Sequence, residues 1–261
     1  MEPTIAGQAR QHRGRISPVR IIGVIDLKDG KAVHARGGRR DLYAPVHQSA
    51  GLVVNGNPLT LARLYIDTFG LPEIYLADLD AIASHTLQTG TIREVSAAGA
   101  PLWVDAGIAQ AGDTEPVVEA GAQTLVAGLE TLTSFDALAD ICAHSPRPVA
   151  FSLDLRGGTP MSVNAQGYSP EEIARRAVDA GAEMVIVLDV GRVGAAVGPD
   201  FDLLRRLQAA IPAAQLFAGG GVRGIDDLRQ LAGTGCAGAL VATAIHEGRL
   251  SPADITAARA L

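Results

Sequence analysis

The stretch Phe151–Gly158 reads FSLDLRGG, and far upstream Gly23–Gly30 reads GVIDLKDG. Both run apolar residues into Asp, then Leu, a basic residue, any residue and Gly. Asp26 and Asp154 stand nearly half the chain length apart. Two further pairs follow in the same order. LWVDAGIAQAGD (102–113) aligns with LFAGGGVRGIDD (216–227), and LVAGLE (125–130) aligns with LVATAI (240–245). Three matches in register indicate a chain built from two related halves.

Outward from these anchors, apolar runs recur as RIIGVID, EIYLADLD, PLWVDAG and QTLVAG, then PVAFSLD, EMVIVLD, QLFAGGG and GALVAT. They are continuous rather than alternating, as strands buried on both faces are. Segments such as PEEIARRAVDAGA and IDDLRQLAGTG lie between them, with helical spacing and a Gly stop. Eight β-then-α units predict a closed (β/α)₈ TIM barrel of two half-barrels over residues 20–261. A doubly wound open sheet is the rival. Residues 1–19 are polar and basic without an apolar core segment, which predicts a flexible leader rather than a secretory signal.

The chain has 261 residues, a net charge of −6 and 48% hydrophobic residues, enough for a large core and unfavourable for a general nucleic-acid surface. No apolar run reaches membrane-spanning length. Cys142 and Cys236 are far apart and lack metal-ligand spacing, so they read as structural thiols, and no metal is expected. The cytoplasm is the expected compartment.

In such a barrel the C-terminal ends of all strands meet at one rim, where active sites sit. Strands one and five are opposite, so Asp26 and Asp154 are expected to face each other as an acid–base pair. The plainer alternative is that each binds loop amides. Asp78, Asp105 and Asp189 have no matched partner and read as structural or ligand-positioning. Gly219, Gly220 and Gly221 follow strand seven and precede a helix, a pattern suited to a phosphate. Ala242, Thr243 and Ala244 after strand eight would form the other wall. KAVHA reads as a short extra strand. The loop beyond it carries Arg36, Arg39 and Arg40, either as a solvated segment or as a lid over an anionic ligand. Arg156, beside Asp154, is a further candidate for positioning substrate, with Asp189.

VIDLKDGKAV, FSLDLRGG, VGPDFDLLRRL, AGGGVRGIDDL and GALVATAIHEG together resemble the histidine-biosynthesis barrels from about Arg20 to Leu250, and most closely their ProFAR isomerase branch. The resemblance implies an aldose–ketose isomerase, an intramolecular oxidoreductase that performs an Amadori rearrangement on a phosphorylated aminosugar. It implies Asp26 as general base at C2, Asp154 as general acid opening the furanose ring, and Gly220 and Gly221 as phosphate ligands. No cofactor is implied, because the substrate's own amine forms the Schiff base. The partner is a small phosphorylated substrate, with neither nucleic acid nor membrane.

Some positions depart from that family's pattern. Its G-G-G-I-R after strand three reads DAGIAQ here, and its G-T or G-S after strand four reads AGLET, which introduces Glu130. Leu188 stands at its strand-six threonine, and Val193-Gly194-Ala195 replaces its D-G-T. Two alternatives therefore stay open: a divergent paralogue using the aspartate pair on a different mono-phosphorylated substrate, and a barrel that binds phosphate ligands without catalysis.

Overall fold

The computed structural model describes residues 19–162 and 165–260. Its frame is eight strands: β1 (Arg20–Lys28), β2 (Glu73–Asp78), β3 (Leu102–Asp105), β4 (Thr124–Gly128), β5 (Val149–Arg156), β6 (Met184–Asp189), β7 (Gln215–Gly219) and β8 (Gly238–Val241). Each pairs in parallel with the next. β8 returns to β1 through a register running from Arg20↔Gly238 to Gly23↔Val241, so the sheet closes into a (β/α)₈ barrel rather than an open sheet.

The intervening helices turn apolar stripes toward the strands. Pro170–Asp179 buries Ile173, Ala174 and Ala177, and starts where the Ser169 hydroxyl accepts from the Glu172 amide at 3.3 Å while the Glu172 carboxylate accepts from the Ser169 amide at 2.7 Å. Among the described residues no helix is long and apolar enough to cross a membrane. Most of the expected leader, residues 1–18, lies outside the described residues, whereas Val19 is fully buried.

Side chains alternate along each strand, and the inward set packs the barrel interior. Ile22, Tyr75, Trp103, Val126, Ala150, Ile186, Phe217 and Leu240 form one buried cluster, separate from the larger layer between strands and helices. Near its floor the Trp103 and Phe217 rings meet edge to face, 5.1 Å between centroids. Arg20 lies 4.7 Å over Phe217 and is 3.4 Å from Glu73.

The half-barrel repeat extends into the rim. β1 overruns the barrel and folds back on a short strand, Lys31–His34; β5 overruns it and folds back on Thr159–Pro160. The KAVHA strand is thus present. The segment beyond it is less irregular than expected, because Ala44–Pro45 pairs with Val33 and His34, and Gln48–Ser49 pairs with Leu52–Val53. Only residues 35–43 remain as a loop with one 3-10 turn, Arg40–Leu42.

Candidate active site

A cavity of about 280 Å³ opens at the C-terminal ends of the strands. Its floor is set by strand parity. Asp26 continues the inward row Ile22–Val24, Asp105 follows Trp103, and Asp154 follows Ala150 and Ser152. All three carboxylates line the cavity as one layer above the apolar plug. Asp78 and Asp189 have the opposite parity and are absent from the lining. The Asp78 carboxylate accepts from the Ala81 amide at 3.1 Å and the Gln88 amide at 2.8 Å. The Asp189 carboxylate accepts from the amides of Gly157, Gly158 and Gly191 at 2.9–3.0 Å, which fixes the turn after β5.

Burial dominates the protonation of the inward layer. It pushes Asp26 up to about 7, with Arg40 opposing and Asp105 adding to the rise. It pushes Asp154 up to about 7, with Asp105 adding and the Ser152 hydroxyl and Glu130 amide opposing. Asp105 rises to about 6 through burial, held back by the Gly107 amide and the Tyr75 hydroxyl. The hydrogen bonds are specific: Ser152 Oγ donates to Asp154 Oδ1 at 2.6 Å, and Tyr75 Oη donates to Asp105 Oδ2 at 3.0 Å. Carboxyl groups with apparent pKa values near neutrality can both hold and release a proton at working pH.

The loop of residues 35–43 lies across the mouth. The Gly37 amide donates to the Val193 carbonyl at 2.8 Å, on the β6 side. Arg40 reaches the β4 end, where its two terminal nitrogens donate to Glu130 at 3.1 and 2.7 Å. Arg40 and Arg156 line the cavity; Arg36 and Arg39 do not. Arg39 is exposed, 3.8 Å from Asp41.

Gly220 and Gly221 line the opposite side with φ of +84° and +89°. A Cβ on Gly221 would sit 2.7 Å from the Gly198 carbonyl oxygen, so only glycine fits this turn. Ala242 and Thr243 line the cavity beside them, while Gly219 and Ala244 lie just behind. Arg223, the basic residue of the glycine motif, turns away and is forked by Asp227 at 2.6 and 2.9 Å. Among the described residues the cation that does reach this part of the lining is Arg249, whose Nε is buried without a hydrogen-bond partner, while its Nη2 pairs with Glu247 at 2.6 Å and its Nη1 donates to the Arg223 carbonyl at 3.4 Å.

The sequence match covers most of this architecture. The family described as "Histidine biosynthesis protein" matches residues 20–251. The chain belongs to the histidine biosynthesis protein family. Among its relatives is the 1-(5-phosphoribosyl)-5-((5-phosphoribosylamino)methylideneamino) imidazole-4-carboxamide isomerase of Anaeromyxobacter sp. (strain K), 32% identical, with 92% of this chain and 99% of that protein covered. The isomerase of the same name from Halorhodospira halophila is 30% identical, with 88% and 93% covered. An uncharacterized protein of Methanocaldococcus jannaschii is also 30% identical, with 91% and 97% covered.

Several lining residues of this family member escaped the sequence reading. Asp105 was set beside Asp78 and Asp189 as unmatched, although its period-two position relative to Trp103 places it inward. Tyr75, on the same inward row of β2, was not singled out. His34, on the short strand after β1, meets Thr243 Oγ1 at 3.1 Å and packs 5.3 Å from the His246 ring. Burial lowers the pKa of both histidines, His246 to about 3. Among the described residues no group of three or more His, Cys, Asp or Glu side chains is placed to hold a metal ion. Burial raises both cysteines to about 11, the behaviour of unreactive structural thiols.

Proposed function

We propose that this chain is an aldose–ketose isomerase that rearranges a phosphorylated aminosugar by acid–base catalysis between Asp26 and Asp154. The observation that carries the reading is the inward carboxylate layer: two acids on opposite strands, both raised to about 7, over one cavity. The names of the isomerase relatives support the reaction class.

In this mechanism protonated Asp154 gives its proton to the furanose ring oxygen. The C1–O bond breaks, and the substrate's amine nitrogen supplies the electron pair that forms the C1=N iminium. Ionised Asp26 removes the proton from C2, giving an enaminol. Loss of the hydroxyl proton at C2 and return of a proton to C1 complete the aminoketose. Ser152 and the Glu130 amide orient Asp154, and Arg40 near Asp26 favours its charged form. The reactive protonation state is the one in which the pair holds a single proton. Below the apparent pKa values the base is protonated, and above them the acid is lost. Because both values are about 7, kcat/KM should follow a bell centred near neutrality. A rate that stays level from pH 5 to 9 contradicts the pair.

The phosphate belongs against Gly220, Gly221, Ala242 and Thr243, with Arg249 as the nearby cation. Inorganic phosphate or ribose 5-phosphate should therefore raise the unfolding temperature of the parent protein. Gly221→Ala should abolish that protection, since its Cβ would collide with the Gly198 carbonyl within the anion loop. Undiminished protection in this variant would move the phosphate elsewhere. A second reading, a paralogue acting on a substrate with one phosphate, is favoured by the Arg40–Glu130 fork at the other end of the cavity.

A further inference from the structure

The two halves of the rim carry opposite electrostatics. At the β7–β8 end, Gly220 and Gly221 take positive φ beside Ala242 and Thr243, and Arg249 reaches the cavity with a buried, unpartnered Nε while its Nη2 pairs at 2.6 Å with Glu247, which lies outside the lining. At the β3–β4 end, the positions matching Gly219 and Gly220 are Asp105 and Ala106. The position matching Ile245 is Glu130. Gly128, between them, is crowded by acids: a Cβ built there would lie 3.1 Å from Asp154 Oδ2 and 3.7 Å from Asp105 Oδ2.

Among the described residues the one cation directed at this end is Arg40, and Glu130 already occupies both arms of its fork. Arg156 sits on the β5–β6 side, with Nη2 near Gly38 and Val190. The Glu130 carboxylate thus stands in its guanidinium fork as an internal anion would. A phosphate monoester brings more than one negative charge at neutral pH. Seating it here means displacing Glu130 from Arg40 and holding the phosphate beside three carboxyl groups, an arrangement that repels it.

We infer that this site takes a substrate with a single phosphate, seated at the β7–β8 loops, and that Glu130 in its Arg40 fork excludes a second phosphate from the β3–β4 end. The substrate's far end is then neutral or amine-bearing. The inference rests on the isomerase reading and narrows its substrate class, because the isomerase relatives are named for a compound with two phosphoribosyl groups.

The test is calorimetric titration of the full chain with ribose 5-phosphate and with that bis-phosphoribosyl compound. In the unaltered protein the two ligands should bind within about tenfold of each other. Glu130→Thr, which frees Arg40, and Glu130→Gln, which keeps the side-chain shape without the charge, should each raise affinity for the bisphosphate at least about tenfold relative to ribose 5-phosphate. The inference is overturned if the unaltered protein binds the bisphosphate more than tenfold more tightly, or if neither variant changes the ratio. Either result leaves the isomerase reading standing. If neither ligand binds the unaltered protein, both the single-phosphate inference and the phosphate loop on which the isomerase reading depends are lost.

Discussion

Asp26→Asn and Asp154→Asn are each expected to lower kcat by at least about 10²-fold, the usual scale for losing one general acid or base. Asn keeps the size and much of the hydrogen bonding of Asp but cannot exchange a proton. At Asp154 its single amide oxygen can accept from the Glu130 amide while its NH2 donates to Ser152 Oγ, so the loss should fall on kcat with KM little changed. Both substitutions should also stabilise the empty protein above neutral pH. Each carboxyl titrates near 3.8 in the unfolded chain and about 7 when folded. Folding therefore favours the protonated form. The cost of the ionised form is complete above about pH 7, shrinks as pH falls through the interval, and is gone below about 3.8. Asn avoids that cost, so its melting-temperature advantage should be clear at pH 8 and absent near pH 3.5. The combined signature, slower and more stable, separates a functional carboxylate from one retained to hold the fold. A pair of variants with near-normal turnover, or less stable than the parent at pH 8, would remove Asp26 and Asp154 from the acid–base role.

The barrel was legible because its signals are local and repeated. Continuous apolar runs mark strands buried on both faces, and the paired motifs around Asp26 and Asp154 repeat the half-barrel in order. The place of the aspartate pair and of the glycine turn at the cavity was legible because each motif sits within a few residues of a strand end. Asp105 was not recognised as inward, because the symmetric pair was sought by motif and not by strand parity. Parity counted from Trp103 would have placed it, and the same count turns Asp78 and Asp189 outward. Glu130 was readable as a charge out of place, but its partner was not. Arg40 lies about 90 residues earlier, on a loop whose path depends on where β1 ends and how the Lys31–His34 hairpin folds. Arg249 was invisible for a similar reason. The motif displays Arg223, and only the packing of Asp227 shows that Arg223 is engaged elsewhere and that Arg249 takes the position by the cavity.

Trp103→Ala is expected to have the largest effect on stability. The indole is 1% exposed. It packs against Phe217, donates from Nε1 to Glu73 Oε1 at 3.1 Å, and pairs across the ladder with Tyr75. Truncating a buried aromatic of this size costs roughly 3–5 kcal/mol. In a domain of this length each kcal/mol lowers the melting temperature by about 2–4 °C, so the loss should exceed about 6 °C. The consequence reaches the chemistry. Trp103 lies directly beneath Asp105 on the inward row, and Tyr75 links the two by packing on one and donating to the other. The void left by the indole borders the Glu73 carboxylate and the Tyr75 side chain, polar enough for water to enter. Water under the carboxyl layer weakens the burial that raises Asp26, Asp105 and Asp154, so the pH optimum of the surviving activity should move to lower pH. Trp103→Phe provides the control. It keeps a ring against Phe217 and gives up the bond to Glu73, so it should cost about 1–3 kcal/mol and leave the optimum in place. Thermal unfolding together with pH–rate profiles of the two variants decides the matter. If the alanine variant melts like the parent, Trp103 does not anchor the barrel interior; if it melts lower with an unmoved optimum, the apolar plug supports the fold without setting the protonation of the site above it.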